Sequence, residues 1–93
     1  MKIKLTIDFQ KDLQEIVAFI AKDKPNAARK FKNDLVRNIK KDLITPFSFK
    51  KSIYFDSEMY RDYVFKGFTT VCKVDSNKEI VFVIGVLKHK ETL

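Results

Sequence analysis

The chain is 93 residues long, 45% hydrophobic and 33% charged, and carries nine Phe, two Gly and one Cys. That length suits one domain over 1–93, able to bury roughly 60–70% of its unfolded surface with no metal or disulfide staple. Excluded are a membrane span, because no apolar run nears the ~20 residues required, a Gly-rich phosphate loop, and an internal disulfide, because Cys72 has no partner.

Cys72 falls in an apolar stretch, so an inert buried thiol in a reducing, cytoplasmic setting is expected. MKIKLTIDF at the start alternates charged and apolar residues and shows no signal-peptide pattern. The net charge is +7, and its placement is uneven. Residues 24–51 hold nine Lys or Arg against only Asp34 and Asp42, while the flanking segments are balanced. A charge that concentrated is an electrostatic footprint for an acidic partner.

Ile3, Leu5 and Ile7 alternate with Lys2, Lys4 and Thr6, the pattern of a half-buried strand. Asp8 is placed to cap the helix that follows. Phe9, Leu13, Ile16, Val17 and Ile20 have the spacing of one helical face, and this helix is expected to end near Lys22. Pro25 then opens a second helix at its first turn. With almost no connection between them, the two helices form an antiparallel hairpin. Ala28, Phe31, Leu35, Val36, Ile39 and Leu43 make the apolar face of the second helix. Arg29, Lys30, Arg37, Lys40 and Lys41 cover the opposite arc. Two readings stand for that arc, a solvated face or a surface for an acidic partner; ordinary solvated faces mix signs. Lys30, Arg37 and Lys41 point away from the core, so replacing them is expected to leave it intact.

ITPFSFKKSIYFDSE is too irregular for a simple connection, and its Phe47, Phe49, Ile53, Tyr54 and Phe55 suggest a segment pinned across the core. Base stacking by these aromatics beside Lys50 and Lys51 is the alternative. Three strands follow: YRDYVFK, TTVCKVD and EIVFVIGVL. Lys66-Gly67 makes the first turn and Asp75-Ser76-Asn77 the second. The last strand is apolar on both faces and should be central, covered on both sides. Alternation puts Arg61, Tyr63 and Phe65 on one face. A strand half buried by aromatics gives a guanidinium no packing role, so Arg61 is either solvated, paired with Asp62 or Glu58, or a contact for something acidic.

The resulting plan is α+β: an N-terminal strand, then an antiparallel helical hairpin packed on an antiparallel sheet, in the order β-α-α-β-β-β. IAKDKPNAARKF, RDYVFKGFTTVCKVD and IVFVIGVLKHK, in that order, resemble the RelE/ParE toxin superfamily of bacterial type II toxin–antitoxin systems. The resemblance spans nearly the whole chain. It implies a small cytoplasmic toxin held inactive by a cognate acidic antitoxin whose helix and strand segments lie over the sheet and hairpin. No cofactor, metal or membrane is implied. ParE-like members inhibit DNA gyrase, whereas RelE-like members cleave messenger RNA on the ribosome with basic residues and a C-terminal aromatic or histidine.

For the RNA-cleaving branch, the resemblance places one strand cation at Arg61, the next at Tyr63, a basic residue at Thr69 and a C-terminal arginine at or near His89. A trailing tyrosine would lie beyond Leu93. Arg61, Lys88 and His89 are then the ribonuclease candidates. With the cation set thinned to this extent, the ParE-like branch is favoured. Candidate contacts to antitoxin or target are Arg61, Tyr63, Lys30, Arg37, Lys41, Lys66, Lys88 and Lys90. A toxin-fold protein without toxicity, serving as antitoxin partner or corepressor, is the third alternative.

Overall fold

Thr6 ties the first strand to the first helix. Its backbone N–H and its hydroxyl both donate to the carbonyl of Val83, at 3.1 and 2.8 Å, while its Oγ1 accepts the Phe9 N–H. Thr6, not Asp8, is therefore the helix cap, and Asp8 sits in the first turn, where a carboxylate favours the positive end of the helix. The strand correspondingly stops at Leu5, and Ile7 becomes an exposed helical residue.

The computed structural model describes residues 1–88. Its elements are β1 (Lys2–Leu5), α1 (Ile7–Ala21), α2 (Pro25–Asp42), a 3-10 turn (Pro46–Ser48), β2 (Tyr60–Phe65), β3 (Phe68–Asp75) and β4 (Ile80–Lys88). The expected β-α-α-β-β-β plan is present, with Pro25 opening α2 as anticipated. The sheet order is β1-β4-β3-β2. β2, β3 and β4 form an antiparallel meander, but β1 pairs parallel to β4, so the sheet is mixed and not purely antiparallel. A parallel neighbour needs a long crossover, and the hairpin and meander together supply it.

Phe9 and Leu13 of α1 and Phe31, Leu35, Ile39 and Leu43 of the second helix and its end enclose the core with Tyr63, Cys72, Val81, Val83 and Val86. Burial pushes the Cys72 thiol up to about 11, which leaves it protonated and inert at neutral pH. β4 is an interior strand, as its composition suggested. Its second face is only partly covered, however: Ile80, Phe82 and Ile84 are half-buried. Near its middle Val71 faces Gly85 while Cys72 faces Val83, so Ile84 is the extra residue of a bulge. The Val86 N–H there donates to Asp12 Oδ2 of α1.

Residues 44–59 are pinned differently from the expectation. Only Phe49 of the expected set packs on the core, its ring edge-on to Tyr63 at 5.1 Å, with Tyr54 half-buried; Phe47, Ile53 and Phe55 stay exposed. The segment runs instead along the outer edge of β2. Asp62 N–H donates to Lys50 O and Ser52 N–H to Tyr60 O, closing an edge that would otherwise be open to pairing.

Candidate functional site

The basic face of α2 is organised around an acid. Asp34 lies on α2 with 8% of its surface exposed. Lys30, one turn earlier, places Nζ 2.9 Å from Oδ2, and Arg37, three residues later, donates through Nη2 to Oδ1. Lys66 arrives from the β2–β3 turn, its Nζ 3.7 Å from Oδ2. The hydrogen bond from Lys30, with the fields of Lys30, Arg37 and Lys66, holds the Asp34 carboxyl below its ordinary range despite the opposing effect of burial. One acid among three cations leaves an excess of positive charge. Arg29 and Lys40 on the same helix have no ion pair among the described residues, and Lys41 only approaches Asp42, at 4.0 Å.

Lys30, Arg37 and Lys66 are thus brought together, with Lys41 farther along the helix. Lys88 is exposed at the end of β4, opposite Phe68, whose ring packs 5.1 Å from Phe31. It emerges at the same end of the sheet as the Lys66–Gly67 turn. His89 and Lys90 lie outside the described residues.

Two candidates face inward instead. Arg61 donates Nε to Glu58 O, Nη1 to Phe49 O and Nη2 to the Glu58 carboxylate, each at 3.0–3.1 Å. Its guanidinium lies 4.9 Å from the centre of the Phe47 ring, and only 14% of the side chain is exposed. The expectation that a guanidinium has no packing role on this strand is therefore corrected: Arg61 clasps the 46–58 segment to β2. Tyr63 is 6% exposed and donates its hydroxyl to Asp42 Oδ2 at 2.5 Å. Burial raises its phenol well above the ordinary value. Tyr63 thus lies in the core and not at the surface. Thr69 is likewise buried.

Between α1 and α2 the structure leaves an apolar cleft of about 450 Å³, lined by Leu5, Leu13, Val17 and Val36 with Gln14 and Lys32. Among the described residues, no group of His, Cys, Asp and Glu side chains is placed to hold a metal ion, and no helix is long and apolar enough to cross a membrane.

The family model for the ParE toxin of type II toxin–antitoxin systems (parDE) matches residues 3–93. The chain belongs to the ParE toxin family. It is also similar in structure to a chain of the chromosomal ParDE toxin–antitoxin system from P. aeruginosa, with a TM-score of 0.77 and 17% identity over 97% of both chains. At that identity the likeness speaks for the fold. None of the curated proteins compared matches significantly. The superfamily expected from the sequence, and its ParE branch, are thus shown.

In this ParE-family chain the residue that reading by periodicity missed is Asp34. It enters that reading only as one of two acids in residues 24–51, yet its offsets of four from Lys30 and three to Arg37 are those of helical ion pairs. The arrival of Lys66 depends on tertiary packing and had no local signal. Glu58 as the partner of Arg61 stood among the alternatives; the two carbonyls and the Phe47 ring did not.

Proposed function

We propose that this ParE-family chain is held by a cognate acidic antitoxin and, when released, arrests growth by binding DNA gyrase rather than by cutting RNA. The family match over residues 3–93 carries this reading. The geometry of Arg61 favours binding over cleavage. Cleavage at a 2′-hydroxyl needs cations free to meet a developing phosphorane charge, and every nitrogen of this guanidinium already donates within the chain. For the antitoxin, the cleft between the helices suits the apolar stripe of an amphipathic helix, and Lys32 together with Arg29 and Lys40 suits its acids.

The test is a gyrase supercoiling assay run beside cell-free translation with primer extension on a defined message. Expected are loss of supercoiling, an intact message, and relief of inhibition by a cognate acidic antitoxin. Normal supercoiling with site-specific message cleavage would replace this reading with the ribosome-dependent endonuclease. Induction without any growth arrest would replace it with the non-toxic antitoxin partner or corepressor.

A further inference from the structure

The strand register lines up Lys4, Phe82, Lys73 and Tyr60 in one row across all four strands, from β1 through β4 and β3 to β2. Val81, Val83 and Cys72, their neighbours along the strands, belong to the core beneath the helices. Alternation therefore turns this row to the helix-free face of the sheet. The row continues beyond the sheet edge, where the Phe55 ring stacks on Tyr60 at 4.1 Å and 15°. Lys73 Nζ stands 5.8 Å from the centre of the Tyr60 ring.

Lys4 and Lys73 are exposed, Phe82 and Tyr60 are half-buried, and Phe55 is 41% exposed. Neither lysine has an ion-pair partner among the described residues. Two acids share the face, Asp62, whose Oδ2 accepts the Ile53 N–H, and Asp75, whose Oδ1 accepts the Lys78 N–H; neither is paired with Lys4 or Lys73. Cations and flat rings thus alternate over three strand spacings, about 14 Å.

We propose that this face binds single-stranded nucleic acid, with bases stacked on Phe55, Tyr60 and Phe82 and phosphates on Lys4 and Lys73. Sheets that present aromatic rings to unpaired bases commonly take two or three of them, and lysines beside the rings supply the backbone contact. An acidic peptide would use the lysines but give the coplanar Phe55–Tyr60 pair no role. A duplex keeps its bases stacked on one another and could not use the rings at all. The inference does not rest on the gyrase reading, because it is read out by binding to oligonucleotide alone.

The experiment is fluorescence anisotropy with short labelled oligothymidylate and oligouridylate, against a duplex of equal length, across a salt series. Both single strands should bind more tightly than the duplex if the shared chemistry is what matters, and the ratio between them identifies DNA or RNA as the preferred source. Phe55→Ala should weaken single-strand binding about tenfold, the size of one lost base stack. Lys4→Glu and Lys73→Glu should weaken it and flatten the salt dependence. Lys22→Glu, an equal charge change at the hairpin tip, should leave it unaltered, and thermal melting verifies that each variant is folded. The proposal is overturned if no single strand binds at low salt, if Phe55→Ala binds as the parent does, if the duplex binds equally well, or if polyglutamate at equal charge displaces the strand as readily as unlabelled oligonucleotide.

Discussion

Arg61 makes three hydrogen bonds and one ring contact from a side chain that is mostly covered. Its ion pair with Glu58 contributes little, because Glu58 is largely solvated and exposed pairs are worth about 0–1 kcal/mol. The greater loss on truncation is the donor to the Phe49 and Glu58 carbonyls. Arg61→Ala should therefore destabilise the chain by about 1–3 kcal/mol in urea unfolding. Arg61→Lys should not restore it, since an ammonium cannot span the same acceptors and ring. An alanine variant that unfolds with the parent would show that the clasp contributes nothing. Asp34 gives a pH test. Its carboxyl is lowered from an ordinary 3.8 in the folded state, so above that value it contributes stability in full. The contribution is lost as pH falls through the lowered value, because the unfolded chain takes up the proton first. The parent should thus lose stability on acidification relative to Asp34→Asn, and parallel curves for the two would remove the role assigned to Lys30, Arg37 and Lys66.

Among the elements, the β2–β3 hairpin is the one that local sequence states most directly. Lys66 and Gly67 both adopt positive φ, 48° and 82°, as a two-residue hairpin turn that follows the strand twist requires. A Cβ on Gly67 would meet nothing within 4 Å, so the cost of Gly67→Ala is backbone strain alone. We expect about 1–2 kcal/mol, measurable by thermal or urea unfolding; an unchanged midpoint would mean that the turn relaxes freely. The helices were as legible as this turn, since Phe9, Leu13, Leu35 and Ile39 carry the helical period in full. The pairing of β1 with β4 was not, because Lys2 meets Ile80 across most of the chain and no local pattern encodes a partner. The Thr6 cap escaped for a similar reason: Thr6 is favoured over Asp8 by its bonds to Val83, a tertiary contact. At the candidate site, charge and spacing revealed the basic face, while inward-turned Arg61 and Tyr63 could only be told from outward ones by what covers them.

Over the whole molecule, the surplus of positive charge on α2 divides into cations that serve the fold and cations that do not. Lys30 and Arg37 neutralise a nearly buried carboxylate, so the expectation that Lys30, Arg37 and Lys41 are replaceable without cost is revised. Changing all three to Glu would set like charges on Asp34 and should lower the melting temperature. Arg29→Glu with Lys40→Glu, where no ion pair is broken, should alter stability by no more than about 0.5 kcal/mol per site. The same double variant should bind an acidic antitoxin more weakly and with a shallower salt dependence. Titration calorimetry over a salt series checks this, and unchanged affinity and slope would mark the face as merely solvated.

The adjacency of the first and last strands also governs how the chain comes into being. Val83 accepts both bonds from Thr6, and Val81 and Val83 complete the floor on which Phe9 and Leu13 rest. During synthesis, at about 5–20 residues per second, β1 must wait for β4 before it has a strand to pair with, and α1, though it can already pack on α2, lacks the floor that Val81 and Val83 supply. A nascent chain that ends before Ile80 thus has the helical hairpin and the first meander strands but no central strand, and should remain protease-sensitive. Full-length product should become resistant in a single step once β4 has cleared the ribosome, which makes interrupted translation a source of unfolded fragments and not of partly active ones.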